Sequence, residues 1–157
     1  MKIFGFPEMD LIKGIRRSYP PHLVKTIANS GKITVFLEEG YGNDIGFSES
    51  DYLSGNIFFK TKEEVFSESD YVICITAPSQ KEIDMMGEGQ TLLAFLHYNT
   101  HDSRNKMFYD RKINTISLDE IIDESSNIRV VEDLRATSFN AIKAGIIALK
   151  ESWGDEK

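Results

Sequence analysis

Six short apolar runs, at residues 2–7, 33–37, 57–59, 71–75, 91–98 and 113–118, recur along this chain with polar or helically spaced stretches between them. Runs that are apolar almost without interruption, instead of alternating with polar residues, belong to strands buried on both faces. Parallel neighbours of that kind need a crossover connection, and each crossover lays a helix on the sheet. The alternation therefore predicts an α/β fold: an open, doubly wound and mostly parallel sheet of the flavodoxin-like or Rossmann-like kind. The ligand crevice of such a sheet lies beyond the carboxyl ends of its strands. Here that means the loops after Phe6, Leu37, Ile75 and Leu96.

Helix boundaries are marked by their caps. Pro20-Pro21 opens a segment with Leu23, Val24, Ile27 and Ala28 at helical spacing, and Asn29-Ser30-Gly31 is expected to close it as a glycine-type cap. Ser48 before Glu49 and Asp51 marks a short acidic helix that stops at Gly55, and Thr61 with Glu64 three residues on marks another. Residues 79–86, closed by Gly87, and residues 104–112 read as two more. In the last segment Leu134, Phe139, Ile142, Ile146 and Leu149 recur at helical intervals, so residues 132–153 are expected to form one long amphipathic helix. With 157 residues and no evident linker, the expectation is a single domain over residues 1–157 with 132–153 as a junction helix.

Composition narrows the function classes. A net charge of -7 and an isoelectric point near 5.0 argue against a nucleic-acid surface, which needs clustered Lys and Arg. No apolar stretch approaches the roughly 18–20 residues that span a bilayer, so no membrane insertion is expected. The lone Cys74 allows no internal disulfide, and the first residues run straight into a strand without a basic, hydrophobic leader, which points to the cytoplasm. Three scattered histidines and one cysteine suggest no metal set.

Few side chains stand out as chemically useful. His97 ends the run that reads as the longest strand, where an imidazole would emerge into the crevice; the alternative is a ring satisfied by a neighbouring carbonyl. His22 and His101 read as solvent-facing. Arg16 and Arg17, in the loop after the first strand, could clamp a carboxylate with a planar fork or could be a surface pair. The glycines of GYGNDIG, residues 40–46, resemble a dinucleotide turn, but an acidic short helix follows where a pyrophosphate turn needs a long one. Cys74, inside an apolar run with no flanking cation, reads as a structural thiol.

Taken together, KIFGFPE, IRRSYPPHLVKTI, VFLEEGYGNDIGFSESDYLSGNI, EEVFSESDYVICITAP and GQTLLAFLH resemble, in order and spacing, the N-terminal domain of the alanine dehydrogenase and pyridine nucleotide transhydrogenase family, which includes carboxyethylornithine synthase. The resemblance covers nearly the whole chain. It implies that Arg16, with Arg17 as fallback, holds the carboxylate of a 2-oxo acid, and that His97 is the acid/base and oxo-group donor. It also places Thr76 where the family has a lysine and Ala77 where it has a glutamate, and a threonine supplies no positive charge. The nucleotide-binding Rossmann domain that follows in the family is absent from these residues, so NAD(P) is expected only through a partner subunit.

Two readings stand side by side. One is the substrate-binding domain or subunit of an NAD(P)-dependent oxidoreductase acting on a 2-oxo or 2-amino acid, inactive alone and completed by a separate Rossmann subunit or a homo-oligomer docked along residues 132–153. The other is a binding or regulatory module that retains the fold without the reaction. A piece of a longer enzyme is a third possibility. Thr76 favours the second reading, whereas Arg16 and His97 favour the first.

Overall fold

A computed structural model of the chain describes residues 1–9, 18–131 and 134–154. Arg16, Arg17 and Glu132 lie outside the described residues. The chain falls into two compact units, Met1–Leu118 and Asp119–Lys157.

The first unit runs β1 (Lys2–Phe6), α1 (Pro21–Asn29), β2 (Ile33–Glu38), α2 (Glu49–Tyr52), β3 (Ile57–Lys60), α3 (Lys62–Glu68), β4 (Tyr71–Thr76), α4 (Gln80–Ile83), β5 (Thr91–Phe95), α5 (Asp102–Asp110) and β6 (Asn114–Ser117). Its six strands form one sheet in the order β3-β2-β1-β4-β5-β6, every neighbouring pair parallel. This is the Rossmann-like α/β fold that the apolar alternation predicts. The winding reverses between β1 and β4, which makes that pair the topological switch point.

Alternation along each strand divides the apolar side chains between two cores. Phe6, Val35, Leu37 and Ile57 pack with Val24 and Ala28 of α1 and with Tyr41 and Tyr52. Val72, Cys74, Leu92 and Ala94 point the other way and pack with Phe66 of α3, Ile83 of α4 and Phe108 of α5. Helix α3 approaches β1 closely because Gly5 has no side chain: a Cβ there would sit 2.2 Å from Ser69 Oγ and 2.9 Å from the Val65 carbonyl. Thr61, Ser48 and Ser79 each form a capping box, with Glu64, Asp51 and Glu82 respectively returning to the cap backbone.

Several boundaries differ from the sequence reading. Helix α1 closes on Ser30, which is right-handed, with both its N–H (3.1 Å) and its hydroxyl (2.7 Å) donating to the Ile27 carbonyl, so Gly31 is not the cap. Helix α4 is a single turn where residues 79–86 were expected, and the chain leaves it through tighter turns, Met85 N–H to Glu82 O and Met86 N–H to Ile83 O. Strand β5 has five residues, one fewer than β2 and β4. Its pairing ends because Leu96 N–H donates to the Ser117 side chain at 3.1 Å and His97 turns into the left-handed region, φ 50°.

The second unit contains a hairpin that the sequence reading did not contain, β7 (Ile122–Asp123) antiparallel to β8 (Ile128–Arg129). Its turn is tied by the Asp123 carboxylate, which accepts from Ser125 N–H, Ser125 Oγ and Ser126 N–H. Helix α6 (Leu134–Gly154) follows as the long helix expected for 132–153, with Phe139, Ile142 and Ile146 exposed. Among the described residues no helix is long and apolar enough to cross a membrane.

Candidate functional site

The carboxyl ends of β1, β2, β4 and β5 carry Glu8, Glu38, Thr76 and His97, and α3 and α4 begin beside them. Strand pairing sets the neighbours. Thr76 faces Phe95 across the β4–β5 ladder, past a register shift between Ile73 and Thr76, so His97 lies two residues beyond the position alongside Thr76.

Thr76 is half-buried and His97 is exposed. The loop that carries His97 is braced from several sides. The Phe95 ring and the imidazole are tilted by 33° with centroids 6.4 Å apart, and the Thr100 N–H and hydroxyl both donate to the His97 carbonyl at 3.1 Å. Arg104 donates to the Leu96 carbonyl and Asn105 to the Tyr98 carbonyl at 2.7 Å. His97 thus sits at a sharp, supported bend, in a left-handed conformation that histidine adopts more readily than most residues. His22 and His101 are solvent-exposed, as their sequence positions predict.

Arg16 and Arg17 lie outside the described residues, but the chain immediately after them is anchored. Ser18 N–H donates to Asp44 Oδ2 at 3.2 Å, Tyr19 N–H donates to Tyr41 Oη at 2.9 Å, and Tyr52 Oη donates to the Tyr19 carbonyl at 2.8 Å. Phe6, Tyr41 and Tyr52 stack edge-on around this anchor.

At the switch point a charged cluster, which the sequence reading did not identify, joins four connections. Glu8 N–H donates to Glu38 Oε2 at 2.7 Å. Lys62 Nζ stands 3.9 Å from Glu38 and 3.4 Å from Glu82. Glu82 is buried, and its other oxygen accepts from Ser79 N–H at 2.7 Å and Ser79 Oγ at 2.8 Å. Burial pushes Glu38 up from 4.5 to about 7, with the Lys62 ammonium and the Glu8 amide opposing and the Glu8 and Glu82 carboxylates adding to the rise. Glu8 is also raised, by burial and then by Asp44. One signal for the cluster was present in the sequence: the Thr61 cap makes Lys62 the first residue of a helix that follows a strand, which places it at the carboxyl end of the sheet.

The glycine segment makes a poor phosphate cradle. Gly40, Gly42 and Gly46 are all left-handed, but the Gly40 N–H already donates to Glu49 Oε1 at 2.9 Å and the Ser48 N–H to Asp51 Oδ2 at 2.8 Å. Carboxylates of the chain itself occupy donors that a pyrophosphate would need, and α2 is one turn long. Gly42 has a packing reason instead: a Cβ there would lie 2.5 Å from Tyr52 Oη. Cys74 is buried, and burial pushes its thiol up, as suits a structural residue.

A cleft of about 640 Å³ opens at the opposite, amino end of the sheet. Its polar groups are engaged in holding the fold: Asp70 accepts from Ile3 N–H and Lys2, and the Gln90 amide donates to the carbonyls of Phe66, Ser67 and Ser69. The switch-point end therefore remains the candidate site.

Comparison with known proteins gives a consistent picture. The pattern of the family described as "Alanine dehydrogenase/PNT, N-terminal domain" matches residues 14–137. The alanine dehydrogenase of Methanococcus maripaludis is 27% identical over 88 residues, 55% of this chain and 24% of that protein. The NAD(P) transhydrogenase subunit alpha of Haemophilus influenzae is 26% identical over 119 residues, 76% of this chain and 23% of that protein. Among solved structures, an L-alanine dehydrogenase superposes with a TM-score of 0.71 at 22% identity, covering 78% of this chain and 34% of its own. A transhydrogenase from Sinorhizobium meliloti superposes with a TM-score of 0.68 at 18% identity, covering 79% and 35%. The chain spans about a quarter of the length of these two sequence relatives.

Proposed function

The chain belongs to the alanine dehydrogenase/transhydrogenase N-terminal domain family, and from that membership we propose that it is the substrate-binding domain or subunit of an alanine-dehydrogenase-like, NAD(P)-dependent oxidoreductase acting on a 2-oxo or 2-amino acid. The nucleotide-binding part lies outside the residues of this domain. The observation that carries this reading is the pairing of Thr76 with Phe95, which brings Thr76 and His97 to adjacent strand ends next to the switch point where small ligands bind in open α/β sheets.

In this reading Arg16, or Arg17 in its place, pairs both carboxylate oxygens of the substrate, and the His97 imidazole hydrogen-bonds the oxo or amino group. Thr76 offers a neutral hydroxyl beside them. The nicotinamide, when present, supplies the hydride chemistry. This chain's part is to bind and orient the acid. The partner is a separate Rossmann subunit or a second copy meeting the exposed apolar residues of α6, Phe139, Ile142 and Ile146. The relative from Haemophilus influenzae is itself named as a subunit.

A non-catalytic binding module of the same fold is the competing reading, favoured by the uncharged Thr76. Titration of the full chain with pyruvate and with L-alanine, followed by NMR of the histidine rings, tests the enzyme-component reading. The enzyme-component reading expects saturable shifts at His97 that weaken in Arg16→Ala. Titrations that leave His97 unmoved overturn it.

A further inference from the structure

A 2-oxo acid brings a full negative charge to the carboxyl end of a sheet where the carboxylates of Glu8, Glu38 and Glu82 already cluster. Like charges at such distances repel unless a cation lies among them. Thr76 at the end of β4 carries no charge, and Arg104, beyond β5, donates to the Leu96 carbonyl. Lys62 is differently placed. Its backbone is fixed as the first residue of α3 by the Thr61–Glu64 capping box, after β3, while its ammonium contacts Glu82 of α4, after β4. In the order β3-β2-β1-β4, that reach carries the ammonium over the ends of β2 and β1, to the switch point.

We propose that Lys62 is the cation that meets the substrate's oxo group beside His97, while Arg16 keeps the carboxylate, so that the neighbouring crossover supplies the positive charge that Thr76 lacks. The inference rests on the reading that the chain binds a 2-oxo or 2-amino acid. Glu38 and Glu82 act as positioning residues: their contacts at 3.9 and 3.4 Å hold the ammonium between them. An approaching anion shares the ammonium with Glu38 and leaves Glu82 in its cap. Glu38 is suited to the exchange because burial already favours its protonated form, so it can shed its charge as the anion arrives.

The test uses the full chain with pyruvate as the probe and the His97 ring signals as the reporter. Lys62→Met should weaken binding by about tenfold or more, as expected for loss of one charge-assisted contact. Adding Thr76→Lys to that variant should restore most of the affinity, because it returns an ammonium to the crevice; a lysine needed only for folding would not be replaced in this way. Lys62→Met leaves Glu82 buried without its cation, so Lys62→Met with Glu82→Gln serves as the variant in which folding is protected. If that double variant is folded and binds pyruvate within twofold of the wild type, Lys62 is not the receiving cation, and the functional reading stands without it. If the wild type itself shows no pyruvate binding, the functional reading fails and this inference fails with it.

Discussion

Replacing Glu38 by Gln should make the protein more stable in weak alkali and leave it nearly unchanged in weak acid. The carboxyl group titrates at about 7 in the folded protein against an ordinary 4.5, chiefly because burial disfavours its charged form. Below pH 4.5 the group is protonated in folded and unfolded chains alike and costs nothing. Between pH 4.5 and 7 the unfolded chain releases the proton while the folded chain retains it, so stability falls as pH rises, and above pH 7 the loss is complete. At ~1.4 kcal/mol per pH unit the interval from 4.5 to about 7 bounds the loss at about 3 kcal/mol. Solvent access to the carboxylate reduces this to on the order of 1–2 kcal/mol. Gln keeps an oxygen that can accept the Glu8 N–H, so the substitution removes the charge and retains the hydrogen bond. Urea unfolding of both proteins from pH 5 to pH 8.5 measures the difference, and carbon NMR of the side-chain carboxyl reports the titration directly. A stability difference that is flat across this range, or that favours the wild type increasingly as pH rises, would refute the reasoning.

Gly5→Ala should destabilise by about 1–3 kcal/mol, since the new methyl meets Ser69 Oγ and the Val65 carbonyl and must push α3 off β1; an unchanged urea midpoint would contradict this. Gly42→Ala should cost on the order of 2–4 kcal/mol, because φ is +94° and the methyl meets the ring and hydroxyl of the buried Tyr52, and a thermal midpoint within a degree of the wild type would count against it. Cys74 should react with an aromatic disulfide only as fast as the protein unfolds, being 1% exposed with its thiol titration pushed up; prompt labelling of the native protein is the opposing result. Calorimetric titration with NADH and NADPH should show no saturable binding at micromolar concentration, because Glu49 and Asp51 occupy backbone donors in and beside the glycine segment.

What the sequence determined alone is what depends on neighbours within a few residues. Uninterrupted apolar runs separated by capped helices specify parallel strands with crossovers, and the Thr61–Glu64 and Ser48–Asp51 boxes mark helix starts from contacts only three residues apart. His97 and Thr76 could be assigned to strand ends on the same grounds, together with the family resemblance. Tertiary structure decided whatever depends on which strand lies beside which. Strand β5 stops at Phe95 because Ser117, from the adjacent β6, takes the Leu96 amide. The order β3-β2-β1-β4 brings Lys62 to Glu82 and Glu38, residues 20 and 24 positions away, and gathers Glu8 beside them. No periodicity encodes that order, since each crossover satisfies the same apolar pattern whichever edge of the sheet it extends. The charge of the crevice, and with it the unusual titration of Glu38, emerges only when the strands are assembled.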